Sequence, residues 1–139
     1  MAYNRTTWQD SPSTSTPINA ANLNNIETGL TTVDTTVTNI INQPIGTVTT
    51  NYTIGTADVG KFFKVTGAAV INVPTNATAP FSIGQKIDFV RSSASAVSFS
   101  GTTGVTVNAT PSTTLRAQYS AATLVKTDTN EWYLIGDLL

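Results

Sequence analysis

Apolar residues recur at Leu23, Ile26, Leu30, Val33, Val37 and Ile40, at alternating intervals of three and four positions. That spacing is the a/d seam of a coiled coil and predicts a helix over residues 18–43. Leu23, Leu30 and Val37 fall at a, while Ile26, Val33 and Ile40 fall at d. Leucine at a with β-branched residues at d shifts preference from dimers towards trimers or tetramers. The competing arrangement is a helix folded back on its own domain, which normally carries a wider apolar stripe. Here the e positions are Glu27 and Asp34, the g positions are Asn22, Gly29 and Thr36, and only Ile41 widens the seam. The narrow stripe favours a coiled coil, and because a compact β domain on each helix is readily accommodated around a three-fold, a homotrimer with the six a/d residues as its interface is expected.

The rest of that helix is intrinsically weak. Thr31, Thr32, Thr35, Thr36 and Thr38 lie between seam positions, each costing a few tenths of a kcal/mol, and Gly29 costs ~1 kcal/mol. Asn19 is a suitable N-cap, with Ile18 and Leu23 placed as a hydrophobic staple. Pro44 and Gly46 end the helix.

From residue 44 onward the period changes to two. Short alternating runs at Thr47–Ile54, Phe62–Thr66, Ala69–Val73, Lys86–Arg91, Ala96–Ser100, Gly104–Ala109, Thr113–Tyr119, Thr123–Thr127 and Trp132–Gly136 are separated by turn residues. They predict a mainly β chain: an antiparallel β-sandwich or jelly-roll-like domain over 44–139. No internal repeat is regular enough to propose a solenoid. Residues 1–17 are Ser/Thr/Pro-rich with Tyr3, Arg5 and Trp8 as their few large groups, and read as an extended anchoring arm.

Composition narrows the function classes. Charged residues make up only 11%, and 27 Thr and 11 Ser replace them, giving a polar surface with few ions. The seven Lys and Arg are scattered and the net charge is −1, so no nucleic-acid partner is expected. Cysteine and histidine are both absent, which removes disulfides, thiol nucleophiles, imidazole acid–base chemistry and most zinc or iron sites. No signal peptide or apolar span is apparent, so a cytoplasmic site of synthesis and no membrane partner are expected.

Candidate chemistry is sparse. The carboxylates Asp10, Glu27, Asp34, Asp58, Asp88, Asp128, Glu131 and Asp137 are dispersed, and no pair is singled out for acid–base work. Gly101-Thr102-Thr103-Gly104 lacks the lysine and the strand-to-helix setting of a phosphate loop and reads as a hairpin turn. No catalytic, cofactor-binding or metal-ligating residue is assigned, and no enzymatic activity is expected. Trp132 and Leu134 alternate with Tyr133 and Ile135, placing one face in a core and the other at a neighbour or the surface. Stacking of a sugar ring on Trp8, Tyr52, Tyr119, Trp132 or Tyr133 is the competing use.

Two stretches carry a resemblance. The first is Thr7-Trp8-Gln9-Asp10, then Thr16-Pro17-Ile18-Asn19-Ala20, then Asn22-Leu23-Asn24-Asn25-Ile26-Glu27-Thr28-Gly29. It is similar to the N-terminus of many tailed-bacteriophage virion proteins, which carry a Trp-x-Asp element, Thr-Pro-Ile, and a Leu-Asn-x-Ile-Glu-x-Gly helix start. The second runs from Leu115 to Lys126 and on through Trp132-Tyr133-Leu134-Ile135-Gly136-Asp137-Leu138. It resembles a β domain that ends phage fibre and minor structural proteins. The resemblance implies a virion structural protein, assembled in the host cytoplasm, with other capsid or tail proteins as partners. A short arm, a three-heptad stalk and one β knob suit a head fibre or capsid decoration protein; a short tail fibre recognising host glycans is the alternative.

Overall fold

The computed structural model describes residues 20–139, and the chain divides into two units at Asn42/Gln43. The first unit contributes α1 (Ala20–Ile41). Its expected staple and cap, Ile18 and Asn19, lie outside the described residues, as does the arm with Tyr3, Arg5 and Trp8. The threonines that weaken the helix are partly satisfied within it. The hydroxyls of Thr28, Thr31, Thr32, Thr35 and Thr36 each donate to the carbonyl four residues back, at 2.8–2.9 Å. This is the bond that lets a hydroxyl sit on a helix without breaking it.

The second unit is mainly β. It contains β1 (Ile45–Val48), β2 (Tyr52–Thr53), β3 (Phe62–Val65), β4 (Ala69–Val73), β5 (Lys86–Arg91), β6 (Val97–Gly101), β7 (Thr106–Asn108), β8 (Ala121–Asp128) and β9 (Glu131–Gly136). A six-stranded sheet has the order β1-β3-β5-β8-β9-β7, and a three-stranded sheet has the order β2-β4-β6. Odd and even strands therefore alternate between sheets over the first six, so that each turn of chain lays one strand on each.

This overturns the antiparallel expectation. Five of the seven strand pairs are parallel, and only β5–β8 and β8–β9 are antiparallel. The cause lies in the corners. Residues 49–51 and 66–68 turn the chain sideways into the other sheet instead of reversing it beside itself. A parallel neighbour needs a crossover, and here the strand on the opposite sheet provides it. The run expected at Thr47–Ile54 is consequently two strands with a corner between them. Solenoid-like coiling escaped the sequence because the turns differ in length: Ile45 pairs with Phe62, 17 positions on, but Phe62 pairs with Asp88, 26 positions on. Insertions between β4 and β5 destroy any fixed period.

Other boundaries also moved. Residues 101–104 form a turn, with the Val105 N–H donating to the Thr102 carbonyl at 2.9 Å, but β6 and β7 do not pair as a hairpin. Thr113–Tyr119 is not a strand. It makes single bridges at Thr114 and Leu115, and the Arg91 guanidinium claims the carbonyls of Leu115 and Arg116 at 3.0 and 3.2 Å.

The core lies between the sheets. Phe63 and Phe89 are register partners with ring centroids 5.5 Å apart, and Phe99 on β6 meets Phe89 edge-on at 5.1 Å. Tyr52 continues the row at 5.4 Å from Phe63. Hydroxyls repeat along the corners. Thr66 and Ser92 each donate both backbone N–H and side-chain O–H to the carbonyl of the strand residue beneath, Val48 and Val65 respectively. Thr102 does the same to Val73.

Close stacking of corners makes Gly67 obligatory. A Cβ there would lie 2.1 Å from the Thr49 carbonyl oxygen, which is backbone and cannot swing aside. Gly67→Ala is expected to lower unfolding free energy by about 1–3 kcal/mol, the usual range for overpacking, as read from urea denaturation midpoints.

Candidate functional site

The a/d residues of α1 present the most conspicuous unpaired surface. Leu23, Leu30, Val33, Val37 and Ile40 are exposed, from 46% at Val37 to 79% at Ile40, while Ile26 is half-buried. Five large aliphatic groups on one stripe of a single helix form a contiguous apolar patch of the kind that marks an interaction site. Helical geometry alone brings them together, since i, i+3 and i+4 positions share a face.

A second apolar surface covers the outside of the six-stranded sheet. Strand register aligns Ile45, Phe62, Asp88, Thr123 and Ile135 in one cross-strand row. Ile45 and Ile135 at its ends are 64% and 62% exposed, and Tyr133 beside the row is also exposed. A hollow of about 370 Å³ lies around Phe62, Asp88, Thr123 and Ile135. Another, of about 490 Å³, is lined by residues 108–110 and 133–136. Asp88 sits in the row with its carboxylate accepting from the Gln43 amide and the Thr123 hydroxyl. The alternation of Trp132 and Leu134 (inside) with Tyr133 and Ile135 (outside) is as the sequence implied.

Three polar clusters pin loops onto the strands. Asp58 is buried, and its carboxylate accepts from the Tyr52 hydroxyl at 2.8 Å, the Gly55 N–H at 2.9 Å and the Lys61 ammonium at 3.0 Å. Burial alone would raise its pKa, but the Gly55, Lys61 and Tyr52 donors together hold it below the ordinary carboxylate value. Burial, aided by the adjacent Asp58 charge, pushes the Tyr52 phenol up from 10.0 to about 12. Asp137 binds Arg116 through two bonds of 2.7 and 2.9 Å and accepts from Ser120 at 2.6 Å, and these donors lower its pKa.

The third cluster was missed by sequence reasoning. Lys126 lies on the core face of β8, almost fully buried, and donates to Asn76 Oδ1 at 3.0 Å and to the Thr129 carbonyl at 2.7 Å. Its ammonium lies 5.4 Å from the Trp132 ring centroid. Burial pushes its pKa down, with Asp128 opposing. The signal was available, because Lys126 shares the inward parity of Ala122 and Leu124. The Lys126 ammonium bond to Asn76 Oδ1 and the Asn76 N–H bond to Asn130 Oδ1 fasten the long β4–β5 connection to the β8–β9 hairpin.

Tyr119 stands apart. It is the one non-glycine residue with positive φ among the described residues (φ 72), and the residue is 74% exposed. Among the described residues no group of three or more Asp and Glu is placed to hold a metal ion. Nor is any described helix long and apolar enough to cross a membrane. Searches against protein-family models, curated proteins and solved structures returned no match.

The Tyr52–Asp58 pair sets a pH dependence at both ends. Asp58 has a lowered pKa, so its contribution is present above the unfolded carboxylate value of 3.8 and is lost as pH falls through its folded value. Tyr52 has a raised pKa, so its contribution is complete below 10.0 and is lost as pH rises from there to about 12. Urea midpoints measured across pH are expected to fall in both windows, and Tyr52→Phe is expected to flatten the alkaline limb.

Proposed function

We propose that this chain is a non-enzymatic structural protein of a tailed-phage virion: a homotrimeric head fibre or capsid decoration protein, anchored by residues 1–17 with Tyr3, Arg5 and Trp8. The observation that carries this reading is the exposed heptad seam on α1. A Thr-rich helix with five bare aliphatic residues gains little from its own propensity and much from packing against identical neighbours. Leucine at two of the three a positions with Ile or Val at d favours trimers or tetramers over dimers, and a compact β unit on each helix is readily accommodated around a three-fold. The phage-like Trp-x-Asp, Thr-Pro-Ile and Leu-Asn-x-Ile-Glu-x-Gly elements support the virion assignment, as does a β unit whose polar groups are spent on structure.

In this mechanism the arms grip the capsid, the helices knit three chains, and the β units project from the surface. Light scattering of the full chain at micromolar concentration is expected to give a trimer mass, which Ile26→Asp combined with Val33→Asp reduces to a monomer. Cryo-electron microscopy of the particle is expected to place the density at capsid three-folds or hexamer centres. Density confined to the tail would overturn the head assignment.

A second reading, a short tail fibre whose knob binds host-surface glycan, is favoured by Tyr119. Bulky residues are rarely held in the left-handed region, where strain of order 1–3 kcal/mol persists only if the surroundings impose it. The Tyr119 N–H donates to the Arg91 carbonyl, and Gln118 and Arg91 hold the same loop. The result is a rigid aromatic platform facing solvent. If it serves a sugar, Tyr119→Ala abolishes binding of the full chain on a glycan array and leaves thermal unfolding within a degree or two.

A further inference from the structure

The outer face of the six-stranded sheet leads further than the helix seam alone. Only Asn42 separates Ile41, the last residue of α1, from Gln43, whose amide is bonded to Asp88 on that face. Pro44 is also fixed, its carbonyl accepting from the Phe62 N–H at 2.9 Å. With consecutive Cα atoms ~3.8 Å apart, Gln43 lies no more than about 7.6 Å from Ile41. Helices packed through an a/d seam have axes about 8–10 Å apart. Three seam-packed helices thus hold their three Gln43 residues within roughly 16 Å of the common axis. A domain of this size has a radius of gyration of about 13 Å. Each β unit is thereby tethered within reach of its neighbours.

Such tethering raises the effective concentration of each β unit near its neighbours to the millimolar range or above. A surface too weak to associate freely becomes occupied under those conditions. The surface nearest the tether is the row Ile45, Phe62, Asp88, Thr123 and Ile135, marked by Gln43 itself. It is apolar at both ends, and the carboxylate at its centre already has two donors. Covering the row therefore leaves Asp88 satisfied.

We infer that this outer sheet face, centred on Ile45, Phe62 and Ile135, packs against the β unit of a second copy of the chain and supplies a second part of the trimer interface. The inference rests on the homotrimer proposed above. Around a three-fold axis the contact is head-to-tail, so the row meets a different patch of its neighbour.

The test uses the full chain. Sedimentation over a concentration series is expected to show that Ile45→Glu combined with Ile135→Glu weakens trimer formation at least tenfold. Ile83→Glu, an equally exposed position on the β4–β5 connection, is expected to leave it unchanged. Because the chain has no cysteine, Ile135→Cys and Ile83→Cys offer a second readout that does not depend on the glutamates folding. In the trimer a thiol-reactive dye is expected to label position 135 at least several-fold more slowly than position 83. Adding Ile26→Asp and Val33→Asp is expected to abolish that difference. A trimer indifferent to Ile45→Glu and Ile135→Glu, with equal labelling at both cysteines, overturns this inference and leaves the seam intact. A wild-type chain that stays monomeric overturns the trimer and this inference with it.

Discussion

The β unit depends on one constraint: each of the first six strands must change sheet, at corners as short as residues 49–51 and 66–68, and the chain must then return in register above the strand it left. Stacking Val65 over Val48 and Phe89 over Phe63 gives every turn of chain the same inward positions. The facing sheet supplies Ile71, Val97 and Phe99 to the same core. Where a corner passes close to the one below, side chains are excluded, and Gly67 against the Thr49 carbonyl marks the tightest approach. The antiparallel pair β8–β9 extends the six-stranded sheet to its edge strand β7, and Trp132 packs against Phe81 at 5.0 Å, edge to face.

Coiling of this kind leaves carbonyls at every corner, and the composition answers that need. A hydroxyl donates a second bond to a carbonyl without bringing a charge into a half-buried site. Thr66, Ser92 and Thr102 occupy equivalent places and make equivalent bonds. The threonines of α1 use the same chemistry on their own helix. The few ions are used sparingly: Asp58 and Lys126 are buried with several partners each, which limits their desolvation cost.

Apolar surface is unevenly satisfied between the two units. The β unit buries a core of aromatic and branched residues and has its loops tied down by Asp58, Lys126 and Asp137. The helix carries the opposite balance, with weak propensity and a bare seam.

The apolar stripe of the helix, its end before Pro44 and the inward parity of Trp132 and Leu134 were legible in the sequence. Each follows from local rules: a period, a proline, or an alternation that any strand must obey. Strand direction and partnership were not legible, because alternation records which way a side chain points and is silent about which strand lies beside it. Parallel stacking, the split of Thr47–Ile54 across two sheets and the burial of Lys126 depend on contacts between residues 17 to 50 positions apart. The outer-face row from Ile45 to Ile135 likewise exists only once five strands stand side by side. Sequence determined the helix and the alternation of most strands, since those are properties of a few neighbouring residues. Tertiary structure alone decided their order, because the free energy of pairing resides in the distant partner.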